Sequence, residues 1–133
     1  ILEIGEALFL STGALIEAQA LELTDSLRQQ ILEGKIGPES EVFVDHPEDA
    51  SLTVRAWQPS DRFHPLGAPG SKKLKDCFIE RSIAQAERKT LPLVINTSQE
   101  VIWVPGLPPA DSCKIRPTTK RALRLTYQTR KPL

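Results

Sequence analysis

The sequence has 133 residues and a mass of 14.8 kDa, with 40% hydrophobic and 26% charged residues, which is typical of a single globular domain. No apolar run of about 18 residues is present, which excludes a membrane-spanning helix, and no basic-led apolar stretch marks a secretory signal. Cys77 and Cys113 lack the number and spacing of a disulfide framework or a metal site, so we expect reduced thiols in a reducing compartment. Because the sequence opens at Ile1 rather than at a methionine, we also expect a further segment upstream.

The net charge of zero divides into two opposite halves. Residues 1–50 carry eleven acidic and two basic residues, for a net charge of −9, whereas residues 51–133 carry a net charge of +9. This asymmetry indicates that one surface meets a polyanion. The alternative is that two solvated faces attract each other within one domain.

The first 50 residues predict a hairpin, a helix and a strand. Apolar residues alternate loosely through residues 1–23, with a turn at Ser11-Thr12-Gly13. Thr24 to Ser26 offer N-cap chemistry, and the spacing of apolar residues predicts a helix over 25–33 that Gly34 ends. A short strand follows at 41–44.

The middle of the chain predicts a strand, a long loop and two helices. Residues 52–57 alternate with period two, which is typical of a strand. Residues 58–70 form a loop that three prolines stiffen. Ser71 is a candidate N-cap for a helix over 72–81, and a second short helix is predicted over 84–90.

The remaining residues predict strands. Residues 91–95 and 101–104 form a hairpin, and a proline-rich loop over 105–112 precedes strands at 114–116 and 122–128. The fold class is therefore α+β, a mixed, mainly antiparallel sheet with two or three short helices. We expect residues 1–50 to be an acidic β-hairpin plus a short helix that links or docks, and residues 51–133 to be a basic C-terminal domain.

Three lysines mark a candidate anion site. Lys72, Lys73 and Lys75 fall in the first turn of the predicted helix, where the helix dipole disfavours cations unless an anion is bound. Gly67 and Gly70, just before them, would shape the loop for a close backbone approach. The functional interpretation is a phosphate site, and the alternative is three solvated lysines on a core helix.

Two further patterns were weighed for chemistry. Asp61 and His64 resemble a carboxylate that orients a histidine base, but they lack a nucleophile and an oxyanion arrangement, so a hydrolase is a weak alternative. A structural role is favoured, in which Asp61 closes a turn. Trp57, Trp103 and Tyr127 are candidates for base stacking, although aromatic residues in strands more often belong to the core. The sequence contains no catalytic constellation and no metal-ligand motif.

A long, ordered series of residues carries a family resemblance. The residues that carry it are Leu52-Thr53-Val54-Arg55, Pro59 to Gly67, Gly70 to Ile79, Ile83, Arg88, Leu91 to Val94 and Ile102 to Gly106. Over about residues 41–128 the sequence resembles the C-terminal domain of bacterial tRNA(Ile)-lysidine synthetase, the TilS/MesJ family. It departs from the family pattern at Ser60, where glycine is usual, and at 82–85, where Lys-Ile-Pro-Arg is usual.

The resemblance implies a function in tRNA modification. The parent enzymes are cytoplasmic bacterial ligases that use ATP and magnesium to join lysine to the wobble cytidine of the isoleucine tRNA with a CAU anticodon. Their chemistry belongs to an N-terminal domain with a Ser-Gly-Gly-x-Asp-Ser loop, which this sequence lacks. We therefore expect this chain to be inactive alone, to need no cofactor of its own, and to bind and position the tRNA.

The expected partners are this tRNA, the N-terminal catalytic domain and, as a further option, a second copy of the chain. Membranes are not expected. The candidate RNA contacts are Arg55, Arg62, Lys72, Lys73, Lys75 and Arg88, with Asp61, Gly67 and Gly70 shaping the loop. The alternative function is a protein–protein docking domain whose oppositely charged halves make no RNA contact.

Overall fold

The fold combines antiparallel sheets with short helices. The computed structural model describes residues 7–9, 13–33, 41–45 and 52–128. Within these ranges the chain forms nine β-strands and three α-helices, and every strand pairing is antiparallel. This confirms the predicted α+β class.

The largest sheet has four strands in the order β1-β2-β9-β3. These strands are β1 (Ala7–Phe9), β2 (Leu15–Glu22), β3 (Glu41–Asp45) and β9 (Arg121–Gln128). Strand β9 is central and pairs with β2 on one side and β3 on the other. Leu123, Leu125 and Tyr127 lie on its buried face, as the alternation predicts, while Ala122 packs in a smaller cluster with Leu23.

This sheet joins the two oppositely charged halves of the sequence. Strands β2 and β3 lie before residue 50 and β9 lies after it, so the sheet crosses the expected domain boundary. Glu22 is the register partner of Arg121, and the Arg124 guanidinium donates to the Glu41 carboxylate. Opposite charges therefore meet within the fold, while the linking or docking role of residues 1–50 stays a prediction.

The helix α1 (Asp25–Leu32) and the first hairpin agree with the sequence patterns. The Thr24 hydroxyl accepts from the Leu27 amide, which confirms the predicted N-cap. Leu8 is the register partner of Ile16, so β1 and β2 form the expected hairpin. Its turn at Ser11 and Thr12, and the helix stop at Gly34, lie outside the described residues.

A second sheet and a short ladder complete the fold. The second sheet has the order β4-β7-β8, and β5 and β6 form a separate two-stranded pair, which we call the ladder. The elements are β4 (Thr53–Ala56), β5 (Arg62–Phe63), β6 (Lys72–Lys73), α2 (Leu74–Glu80), α3 (Gln85–Arg88), β7 (Pro92–Ile95) and β8 (Val101–Trp103). A 3₁₀ helix spans Asp111–Cys113. The predicted hairpin over 91–104 is confirmed as β7 and β8.

One hydrophobic core holds these sheets and α2 together. Ile16 and Leu125 from the first sheet, Trp103 from the second and Phe63 from the ladder belong to the same buried cluster. On α2, Leu74, Cys77 and Phe78 are buried, which confirms the predicted apolar face. Buried residues therefore anchor the ladder and α2 in the core, while Arg62, Lys73 and Lys75 stay exposed.

Two of the predicted elements are wrong. The strand expected at 114–116 is irregular, because the Arg116 amide donates to the Thr119 hydroxyl and its carbonyl accepts from the Thr119 amide. These bonds make a turn and leave the segment no ladder partner. The loop expected over 58–70 contains β5, because Phe63 is buried and draws the chain into register with β6.

Truncating the centre of β9 should destabilise the fold. Leu125 is fully buried and has Ala18 and Val42 as its register partners. We expect Leu125→Ala to lower the free energy of unfolding by about 2–5 kcal/mol, because it leaves a cavity between two strands. Chemical denaturation measures the change. Gln128→Ala, on the exposed end of the same strand, should change it by less than about 0.5 kcal/mol.

Candidate nucleic-acid interface

The Asp61 side chain organises the candidate site. Its carboxylate accepts from both terminal nitrogens of Arg55, at 2.9 and 2.7 Å, and from the Gln58 amide at 2.7 Å. Its backbone carbonyl accepts from the Leu74 amide at 2.9 Å. Asp61 thus ties the end of β4 to the start of α2, which confirms that it closes a turn, as the sequence predicts.

The Arg55–Asp61 pair is an ion pair with two parallel hydrogen bonds. The Asp61 side chain is 9% exposed and that of Arg55 is 37% exposed. Hydrogen bonding to Arg55 holds the pKa of Asp61 below its ordinary value, and the same bond raises the pKa of Arg55. Arg55 therefore positions the loop from the edge of the site.

The lysines do not lie where the helical pattern places them. Lys72 and Lys73 form β6, and α2 begins at Leu74, so only Lys75 lies in its first turn. Ser71 is not the N-cap, because pairing with β5 keeps the chain extended through Lys73. The Ser71 carbonyl instead accepts from Arg62 at 3.1 Å.

The ladder sorts its side chains onto two faces. Phe63 is buried opposite Lys72, whose ammonium bonds to Glu80 on α2. Arg62 and Lys73 are direct register partners, and both are exposed. Like charges directly opposite each other destabilise a strand pair. Among the described residues neither has an acidic partner, so this face concentrates positive charge.

Arg88 lies apart from the exposed cations. It is 8% exposed, its Nε donates to the Ile83 carbonyl at 2.8 Å, and its guanidinium carbon lies 5.8 Å from the centre of the Phe78 ring. The structure thus groups Arg62 with Lys73 on the ladder and places Lys75 beside them on α2. Arg88 instead lines a cavity to which Lys75 also contributes.

The two candidate loop glycines differ. Gly67 has a φ of +78° and its amide donates to the Asp111 carboxylate at 3.1 Å. That bond is the main cause that lowers the pKa of Asp111. The close approach of Gly67 to a bound phosphate stays a prediction. Gly70 has no positive φ, and no atom lies close to the position of an added Cβ. Of these two glycines, only Gly67 has a backbone conformation that favours glycine.

The geometry does not support a hydrolase. The Asp61 carboxylate is engaged by Arg55, and the His64 imidazole bonds instead to the Ala68 carbonyl at 2.7 Å. Both cysteines are free thiols; burial raises the pKa of Cys77, and it raises that of Cys113 to about 12, so neither is an activated nucleophile.

The described ranges contain neither a cluster of metal ligands nor a membrane-spanning helix. Over the described ranges, no three His, Cys, Asp or Glu side chains gather as ligands for a metal ion. No helix there has the length and apolar character needed to cross a membrane.

Sequence reasoning missed part of the site. Lys89 and Gln85 line the same cavity as Trp57, Pro59, Lys75 and Arg88. Both residues lie far from Trp57 along the chain, so no local sequence pattern indicates that they share a cavity with it. Of the aromatic residues weighed for stacking, Trp103 is fully buried and Tyr127 is 9% exposed, whereas Trp57 is only partly buried.

Removing the Asp61 charge should destabilise the fold in a pH-dependent way. We expect Asp61→Asn to cost about 1–3 kcal/mol at pH 7, because charge-assisted bonds to Arg55 are lost. Because the folded-state pKa of Asp61 lies below its ordinary value of 3.8, this stabilisation is complete above 3.8 and is lost as the pH falls through the folded value. Denaturation of both proteins across pH should therefore show the difference shrinking in acid. A constant difference would contradict the ion-pair assignment.

The glycine pair allows a matched test. Gly67→Ala should destabilise the domain by about 1–2 kcal/mol, because alanine is strained at a φ of +78°. Gly70→Ala should leave stability unchanged or raise it by up to about 1 kcal/mol, since it only reduces the freedom of the unfolded chain. Thermal unfolding distinguishes them, and equal losses would refute this assignment.

Known proteins resemble this chain in sequence. A curated tRNA(Ile)-lysidine synthase from Clostridium perfringens is 33% identical over 84 residues, which are 63% of this chain and 18% of that protein. The synthase from Symbiobacterium thermophilum is 34% identical over 96 residues, 70% of this chain and 19% of that protein. The synthase from Bacillus subtilis is 45% identical over 56 residues, 42% of this chain and 12% of that protein. The chain thus spans less than a fifth of the length of these relatives.

Solved structures share the fold. A crystal structure of a TilS C-terminal domain superposes with a TM-score of 0.76 and 29% identity, covering 98% of this chain and 95% of that one. An N-terminal fragment of the phenylalanyl-tRNA synthetase β-subunit from Pyrococcus horikoshii has a TM-score of 0.60 at 19% identity, covering 86% of this chain and 38% of that one, and shows the fold alone. The family model described as "TilS substrate C-terminal domain" matches residues 52–126, which include the whole candidate site. The chain therefore belongs to the family of TilS substrate C-terminal domains, as the motif series over residues 52–106 indicated.

Proposed function

We propose that this chain is the non-catalytic C-terminal part of a tRNA(Ile)-lysidine synthetase, and that it binds and positions the isoleucine tRNA with the CAU anticodon. A missing N-terminal domain would carry ATP and magnesium and would attach lysine to the wobble cytidine. This assignment also places the protein in the bacterial cytoplasm. The relatives named as tRNA(Ile)-lysidine synthases support it.

The observation that carries the proposal is the Arg62–Lys73 pair. These cations stand directly opposite each other on an exposed ladder, and no acidic side chain in the described ranges neutralises them. Two like charges in this register weaken the ladder unless an anion lies between them. A phosphate of the RNA backbone supplies that charge, and both side chains reach it from one face.

Neighbouring residues extend the contact and hold it rigid. Lys75 follows on α2, is exposed, and has no ion-pair partner in the described ranges, so it is a further phosphate contact. Lys72 contributes its charge only after it leaves Glu80. Arg55 acts through Asp61, which fixes the loop beneath the ladder. Such a surface grips structured RNA by shape and charge, without reading bases.

Removing the ladder cations should weaken tRNA binding and its dependence on salt. We expect Arg62→Ala with Lys73→Ala to reduce the slope of log affinity against log salt by about two units, because each lost phosphate contact removes about one. Fluorescence anisotropy with the CAU-bearing isoleucine tRNA across a salt series measures this slope. The same series with an elongator methionine tRNA tests whether the grip is selective.

The matched control removes two cations elsewhere. Lys120 and Arg121 are also exposed, but Lys120 directly precedes β9 of the first sheet and Arg121 is its first residue. Replacing both with alanine lowers the net charge equally and should change the slope little. An equal reduction would show that overall charge, rather than the ladder, attracts the tRNA. No binding at low salt would refute RNA binding and favour the docking function.

A further inference from the structure

A small cavity beside the ladder combines an aromatic wall with cations. It has a volume of about 230 Å³ and is lined by Trp57, Pro59, Lys75, Gln85, Arg88 and Lys89. Pockets for drug-sized ligands span roughly 300–1,000 Å³, so this one is suited to a single heterocycle. Its exposed lining is mostly apolar, and Lys75, Arg88 and Lys89 add three positive charges to it.

Arg88 is the strongest sign of a ligand. Its side chain is more than nine-tenths buried, and the Ile83 carbonyl is the one hydrogen-bond partner it has among the described residues. The terminal guanidinium nitrogens have no acceptor among the described residues, although a guanidinium carries five N–H donors. Trp57 Nε1 is the one buried side-chain nitrogen or oxygen without a partner in the described ranges, so these Arg88 nitrogens stay in contact with solvent. No acidic side chain in the described ranges pairs with Arg88. A largely buried cation whose solvated donors lie in a cavity wall can bind a ligand that carries acceptor oxygens or nitrogens.

Trp57 supplies the surface on which a base can stack. Its ring meets Phe78 edge to face, with centroids 5.5 Å apart and planes at 81°, so Phe78 fixes the position of the indole without a parallel stack. The indole Nε1 is buried and has no hydrogen-bond partner within the described residues. A phenylalanine would make the same edge contact without leaving a donor unpaired, so packing alone does not explain the indole.

We infer that this cavity binds one unpaired nucleotide of the RNA. The base stacks on Trp57 and presents its acceptor atoms to Arg88, while the flanking phosphates lie between Lys75 and Lys89. Lys75 borders both the cavity and the ladder face, so a strand held on the ladder can extend into the cavity. The inference rests on the proposed RNA binding and adds to it the recognition of a single-stranded end or bulge.

Tryptophan fluorescence tests the inference directly. The chain has two tryptophans, and Trp103 is fully buried, so a stacked base can quench only Trp57. The probes are a blunt RNA duplex, the same duplex with a single-stranded 3′ overhang, and free cytidine monophosphate. We expect the overhang to raise affinity about tenfold and to quench fluorescence, since one base–aromatic stack contributes on that order. Trp57→Phe, which leaves Trp103 as the sole tryptophan, should show no quenching.

Variants separate the cavity from the ladder. Trp57→Leu and Lys89→Ala should each reduce the advantage of the overhang, and Trp57→Leu should abolish it. Neither should change affinity for the blunt duplex, which also reports that the variant is folded. Lys120 directly precedes β9 and does not line the cavity, so Lys120→Ala should change the affinity for neither duplex.

Three other outcomes would contradict the nucleotide cavity, and they differ in whether the proposed RNA binding survives. Equal binding of both duplexes without quenching would refute the nucleotide cavity and leave the proposed function standing. Quenching by the free nucleotide, with no advantage for the overhang, would show a site for free nucleotides instead. No binding of either duplex would refute the proposed RNA binding and this inference with it.

Discussion

The site depends on the placement of one carboxylate. Asp61 accepts two bonds from Arg55 and one from the Gln58 amide, and its carbonyl holds the first residue of α2. Without this anchor, the loop after β4 has no fixed path to the ladder. The adjacent residue, Arg62, owes its exposed position to this arrangement, because the next residue, Phe63, is buried in the core. The Asp61 carboxylate thus helps to fix the position of the exposed cation at Arg62.

The distribution of charge acts at two levels. Within the first sheet, Arg124 of β9 forms an ion pair with Glu41 of β3, and Glu22 of β2 lies opposite Arg121 in register. The Arg124–Glu41 pair neutralises charge across the boundary between the two halves of the sequence. On the ladder, Arg62 and Lys73 have no acidic counterpart in the described ranges. Acidic and basic residues therefore pair in the first sheet, while the ladder keeps the unpaired cations on which the proposed function rests.

The fold also fixes the spacing of the exposed charges on which the proposed RNA binding depends. The ladder and α2 sit on one continuous core, so their exposed charges keep a fixed spacing. In the proposed function, this fixed spacing would match the shape of a folded RNA, and the proposed nucleotide cavity at Trp57 would add a contact that a duplex alone does not make.

Local patterns in the sequence determined most of the elements and the family. Period-two alternation placed β4 and β9, short apolar runs placed β7 and β8, the Thr24 cap placed α1, and the motif series from Leu52 to Gly106 indicated the TilS family. These signals are local, because backbone propensity, capping and side-chain alternation act over a few residues. The tertiary structure alone decided that Lys72 and Lys73 form a strand, since their partners lie nine and eleven residues away. It also decided that Arg88 is buried beside Trp57, because packing between distant segments, rather than residue type, determines which charges reach solvent.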